Sequence, residues 1–258
     1  MFVMQPEGWR APFPERPVAL DPDRPDREQA ERGLECRTGS REGSALSRFW
    51  QALVHGEFSF AGAHAVASHY QVVAQAGPGC RAPTDSESRL LRRGFLAEPQ
   101  KVVAAELGVS ESTVSVLVGR ALRKLGFERR LAAVPLPIVL CALDHYEVIK
   151  IAGASLYRID SGGQGLLVAR LPVLRVDLLA ELTPAEREVA RLFAAGLSHK
   201  TIAHKRGTSS STVANQLAST FRKLNAWGRL ALIRYWACLQ WPVNSYSSTA
   251  APKGRSQP

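Results

Sequence analysis

Asn215 and Gln216 are adjacent carboxamides in a segment, SSSTVANQLASTFRKL from Ser209, that is otherwise mostly small, polar or basic. A carboxamide can offer paired donor and acceptor atoms to adenine in the major groove of DNA. On a helix, the outer face of this segment would present Ser210, Ser211, Ala214, Asn215, Ser219 and Arg222. These are groups small enough to approach base edges, with a cation for phosphate. Lys200, Thr212, Arg222 and Lys223 are of the types that hold backbone phosphates, which fix position without reading sequence. The chemistry implied is recognition of duplex DNA. The residues assigned to it are Lys200, Thr212, Val213, Ala214, Asn215, Gln216, Ser219, Arg222 and Lys223.

Such side chains work together only if helices hold them in place. Thr183 can cap a first helix, with Pro184 at its first position and Glu186 closing a capping box. Val189, Phe193 and Leu197 recur at helical spacing, and Gly196 ends the helix. Ser198 caps a short second helix carrying Ile202 and Ala203, and Gly207 permits a tight turn. Ser209 caps a third helix over about 209–224, with Val213, Leu217, Thr220 and Leu224 facing inward. A fourth runs from about Gly228 to Trp241. A short helix, a glycine turn and a longer helix form the arrangement that lays a recognition helix in the major groove.

The helical block occurs twice. KVVAAELGVSESTVSVLVGRALRKLGF from Lys101 aligns without a gap on KTIAHKRGTSSSTVANQLASTFRKLNA from Lys200. Lys101, Ala104, Gly108, Ser110, Thr113, Val114 and the Arg123-Lys124-Leu125 run all have identical counterparts. Upstream, HYQVVAQ around Val73 resembles QGLLVAR around Val168, each following a run of alternating apolar residues, and Gly162-Gly163 marks a hairpin turn. The fold expected is mainly α with minor β: two tandem units, each a small β-hairpin or meander followed by a helix-turn-helix bundle. The first unit spans 45–140, with a degenerate helix-turn-helix at about 86–127. A second β element or linker covers 141–181, and the DNA-binding domain covers 182–241. The first block is read as lacking the Leu-Thr-Pro-x-Glu opening. Its Pro99 interrupts the turn before the second helix, and Pro135 and Pro137 break its fourth helix. Val116 and Leu117 stand there in place of Asn215 and Gln216, while Arg120 and Arg123 remain for phosphates.

The chain has 258 residues and a formal net charge of +10, a balance that favours polyanionic partners. Residues 1–44 and 242–258 are poor in aliphatics and rich in Pro, Ser, Gly or charge, so disordered tails are expected. No run is long and apolar enough for a membrane span, which points to a cytoplasmic, nucleoid-associated protein and no membrane partner.

LTPAEREVARLFAAGLSHKTIA followed by SSSTVANQLASTFRKL resembles the helix-turn-helix signature of the LuxR (GerE, NarL) regulators over roughly 182–236. The resemblance implies a four-helix domain whose third helix reads DNA and whose fourth supports dimerisation, here through Leu230, Ile233 and Trp236. Glu186, Thr212-Val213 and Lys223-Leu224 match the family pattern. Ala214 and Gln216 depart from it, standing where the family usually has Lys and His. The tandem layout is similar to that of helix-turn-helix regulators of myxobacteria. A transcriptional regulator with RNA polymerase as a candidate second partner follows.

The alternative is a protein-interaction module that keeps the helical shape without strong DNA binding. An enzyme has no support, since no acid, base and nucleophile converge. Ser110, Ser198 and Ser209 are read as helix caps, and His199 and His204 as polar surface. Trp227, Trp236 and Trp241 with Tyr235 are read as core or dimer surface. The glycines of IDSGGQG precede no phosphate-binding lysine or helix. Cys36, Cys80, Cys141 and Cys238 are too far apart for a zinc site, so no metal and no cofactor are expected.

Overall fold

The computed structural model describes residues 44–66, 68–161 and 164–243. Apart from residues 44, 242 and 243, the expected tails lie outside the described residues, as do Cys36 and the Gly162-Gly163 turn. The described residues open with helix α1 (Ala45–Val54), capped by Ser44, whose hydroxyl accepts the amide of Ser47. The alternation read from Phe58 onward becomes two strands, β1 (Ser59–Val66) and β2 (His69–Gln75). Three helices follow: α2 (Asp85–Phe95), α3 (Gln100–Leu107) and α4 (Glu111–Lys124). A 3-10 turn at Leu131–Ala133 leads to α5 (Leu136–His145).

The same order then recurs. Strands β3 (Ser155–Ser161) and β4 (Gln164–Pro172) precede a 3-10 turn at Val176–Leu178. Helices α6 (Pro184–Ala194), α7 (His199–Arg206) and α8 (Ser210–Leu224) follow, and α9 (Arg229–Gln240) ends the described fold. The molecule is thus helix-rich with a small antiparallel sheet.

The two hairpins do not stand as separate β elements. They join edge to edge into one four-stranded sheet of order β1-β2-β4-β3, with Val73 of β2 opposite Val168 of β4. An isolated two-stranded hairpin is marginal in water and leaves unpaired backbone on both edges. Joining β2 to β4 satisfies one edge of each.

One core spans both halves. Leu46, Phe49, Trp50 and Leu53 of α1 are fully buried with Ile138, Leu140 and Leu143 of α5 above Val72, Ala74 and Ala169 of the sheet. The Trp50 and Phe95 rings meet edge-on at 5.1 Å. Helices α1 and α5 run antiparallel: the Ser44 hydroxyl donates to Asp144, and Ser47 Oγ lies 2.9 Å from His145 Nδ1. A smaller cluster of Val189, Leu192, Ile202, Ala203, Val213 and Leu217 holds α6, α7 and α8 together.

Three expectations for the first block are corrected. Pro135 is the N-cap of α5 and Pro137 lies in its first turn, where a missing N–H costs nothing, so these prolines start a helix rather than break one. Pro99 likewise takes the N-cap position of α3. The block also has an acid-capped opening upstream of Arg89, with Pro83 and Asp85 in place of the Leu and Pro of the second block: Thr84 and Glu87 form a capping box on α2. The proposed dimer seam is corrected too. Ile233 and Trp236 are buried within the chain, Leu230 is half-buried against the same core, and Trp236 Nε1 donates to Arg175 O at 2.8 Å. A fourth helix spent on its own core cannot offer those side chains to a second copy.

Arg229 joins the halves. Its guanidinium donates to Ala194 O from Nε (3.1 Å) and Nη2 (2.8 Å), and from Nη1 to Ala132 O (3.1 Å) and Val134 O (2.8 Å). Burial lowers its pKa to about 10. Arg234 Nη1 adds a second tie, to Leu96 O at 2.8 Å.

Candidate nucleic-acid interface

The opening of α6 is built by local chemistry. Thr183 N donates to Glu186 Oε2 (2.8 Å), and Glu186 N donates to Thr183 Oγ1 (3.3 Å), with Pro184 at the helix start. Ser198 caps α7 by accepting Thr201 N at 3.2 Å, and Ser209 caps α8 by accepting Thr212 N at 3.0 Å. Between them Gly207 has φ 61°, a left-handed conformation that an L side chain resists and that closes the turn between α7 and α8.

Periodicity divides α8 into two faces. Val213, Leu217, Thr220 and Leu224 are buried, while Ser211, Thr212, Asn215 and Arg222 are exposed along one stripe that also carries half-buried Ser219. Lys200, in the first turn of α7, is exposed as well. The amides at the start of α8 add the positive potential of a helix N-terminus. The segment from His199 to Leu224 contains no acidic residue; the carboxylates that meet its cations come from α6.

Not every assigned residue lies on the stripe. Val213 is corrected: its side chain is fully buried among Ile202 and Val189, two residues off the exposed face, and does not reach DNA. Ala214 is exposed but turned away from Asn215 by one helical step. Gln216 leans toward α7, where its Oε1 accepts Arg206 Nη1 at 2.7 Å; Arg206 Nε also pairs with Glu188 at 3.2 Å. That leaves the Gln216 amide N–H groups for a ligand. Arg206 is not legible in the sequence as part of this site, because its reach across the Gly207 turn to a residue ten positions on has no local signature.

Lys223 is engaged from the other side. Its Nζ lies 2.7 Å from Glu186 Oε2, joining the end of α8 to the start of α6. Burial of Glu186 works against its charged form, but Lys223, the Thr183 amide and the Ser219 hydroxyl outweigh it and hold the carboxyl at about 2. The pair fixes the tilt of α8 on its support.

Equivalent contacts occur in the first block. Thr84 N donates to Glu87 Oε2 (2.8 Å), and Lys124 Nζ lies 2.7 Å from Glu87 Oε2. Ser110 caps α4, and Gly108 has φ 64°. On α4, Ser112, Thr113, Val116, Arg120 and Arg123 are exposed.

Among the described residues, no group of three His, Cys, Asp or Glu side chains could hold a metal ion, and no single helix is long and apolar enough to cross a membrane. An open cleft of about 420 Å³ lies beside the sheet, lined by Ser68, His69, Gly153, Ser155 and Arg170. It carries no paired acid and base.

Residues 180–236 match the family model GerE, described as bacterial regulatory proteins, luxR family. The matched segment takes in α6, α7, α8 and most of α9, and amounts to less than a quarter of the chain. No curated protein and no solved structure matches the chain. The segment is a LuxR-type helix-turn-helix domain, of a family whose members are DNA-binding regulators.

Proposed function

We propose that this chain, with its LuxR-family domain at 180–236, is a sequence-specific DNA-binding transcription regulator that acts in the cytoplasm on the nucleoid and lays α8 in the major groove. The observation that carries this reading is the exposed stripe of Ser211, Thr212, Asn215 and Arg222, with half-buried Ser219 beside it, on a helix whose opposite face is committed to the core. Asn215, mid-stripe, has the atoms to pair with adenine. Arg222 and Lys200 supply cations toward the two flanking phosphate backbones, and the Ser209–Thr212 turn adds backbone N–H groups. Ser219 and the free amide of Gln216 border the reading face. Ala214 contributes its small size only.

Lys223 acts in this account as a positioning residue. It orients α8 through Glu186 and is not counted among the phosphate contacts. The test is binding to mixed-sequence duplex DNA by fluorescence anisotropy across a salt series. Affinity should fall steeply with salt, and Arg222→Ala and Lys200→Ala should each reduce the log–log slope by about one. Weak binding with no salt dependence would favour a protein-interaction module instead.

A further inference from the structure

We propose that α4 is a second DNA-reading helix, and that a single chain presents α4 and α8 to two half-sites of inverted orientation. The two hairpins from which these helical blocks extend are related by a local two-fold axis that passes between Val73 and Val168. This inference rests on the reading of α8 as a DNA-binding helix.

The axis comes from the register of the sheet. The pair that closes the first hairpin is Val66 with His69, and the pair that closes the second is Ser161 with Gln164, each 95 residues later. Val73 and Val168 are also 95 residues apart, and they lie opposite each other where the hairpins join. A residue that pairs with its own counterpart across antiparallel strands marks a two-fold axis normal to the sheet. Such an axis leaves both helical blocks on the same side of the sheet.

The pair α1 and α5 fits the same operation. Helices α1 and α5, each ten residues long and each preceding a hairpin, cross antiparallel with their opposite ends in contact. Helices α2, α3 and α4 have counterparts in α6, α7 and α8 that begin 99 residues later. The four extra residues fall between β4 and α6, where the Val176–Leu178 turn sits. Both blocks carry the same capping box, the same lysine–glutamate pair at 2.7 Å and the same left-handed glycine. α4 is therefore held on α2 by the contacts that hold α8 on α6.

The stripe that α4 presents is chemically competent but different. Thr113 and Arg123 repeat Thr212 and Arg222, Arg120 adds a cation at the place of Ser219, and Lys101 repeats Lys200. Val116, 59% exposed, replaces Asn215. An exposed valine on a groove-facing helix suits a thymine methyl, as an asparagine suits adenine. The two halves of the site should then differ in sequence. In helix-turn-helix proteins that bind as dimers, two subunits supply the paired helices. Here Arg229, Arg234 and the β2–β4 junction hold the two blocks within one chain, and the fourth helix α9 packs on α5 of the same chain.

The test uses the full chain and duplexes that it enriches from a randomised pool. Two preferred segments at fixed spacing are expected, with hydroxyl-radical protection over both and one chain per duplex by mass photometry. Asn215→Ala should relax preference in one segment and Val116→Ser in the other. Arg120→Ala with Arg123→Ala should weaken binding by about tenfold or more and lower the salt slope by about two. A single preferred segment, two chains per duplex, or binding unchanged by the α4 variants would overturn the inference while leaving α8 as the reader. Failure to enrich any duplex would overturn the reading of α8 itself.

Discussion

Lys223 distinguishes a positioning role from a phosphate contact, and Lys223→Met separates the two. The substitution keeps the aliphatic stem and removes the ammonium that lies 2.7 Å from Glu186. The Glu186 carboxyl is held at about 2 against an ordinary 4.5, a net preference for the charged form of about 3 kcal/mol to which Lys223, the Thr183 cap and Ser219 all contribute. Lys223 is about a third exposed, so water screens the pair and the lysine regains rotamer freedom when released. A net loss of about 1–2 kcal/mol remains. For a fold of this size that corresponds to a fall in Tm of roughly 3–7 °C. The assay is thermal unfolding by circular dichroism, paired with anisotropy titrations well below Tm. The variant should lose stability but keep the parental salt slope and bind within about twofold of it. Lys124→Met should destabilise comparably through Glu87. An unchanged Tm with a salt slope reduced by one would refute the reasoning and return Lys223 to the phosphate backbone.

Two further outcomes follow from the same structure. Glu186 and Glu87 both have lowered pKa values, so their contribution is complete above about pH 4.5 and is lost as pH falls below it, for Glu186 toward about 2. Urea unfolding midpoints should drop over that window, and the Glu186 share of the drop should vanish in Lys223→Met; an equal drop in parent and variant would count against the pair. Arg229→Met strands the carbonyls of Ala132, Val134 and Ala194 at about 1–3 kcal/mol each, partly offset by no longer burying a charge that has no carboxylate partner among the described residues. A net loss of about 3 kcal/mol is expected from chemical unfolding, and a loss below about 0.5 kcal/mol would show that the two halves are not joined through this guanidinium.

Local signals made the second helical block readable. Thr183, Ser198, Gly207 and Ser209 act within four residues of themselves, and the inward stripe from Val213 to Leu224 is periodic. The features that the sequence does not reveal depend on partners distant along the chain. Lys223 and Glu186 are 37 residues apart, and no local pattern announces that a basic residue in the last turn of α8 is spent inside the fold. Val213 was assigned to DNA with Thr212 as a motif pair, although a helix must turn one of two neighbours inward. The joining of the hairpins depends on β2 finding β4 across a hundred residues, which alternation alone cannot specify. Trp236 illustrates the same limit. An aromatic on an apolar helix face serves a dimer or a core equally well, and only the position of α9 against Arg175 and α5 decides for the core.

The most direct test of the central claim is selection of duplexes from a randomised pool by the full chain, run in parallel with Asn215→Ala. Reading of DNA by α8 predicts that the parent enriches a defined motif and that Asn215→Ala still binds but loses preference at one or two positions within it, at a cost of about 1–3 kcal/mol for the best site. Enrichment of no motif, or of the same motif with undiminished preference by Asn215→Ala, would contradict it.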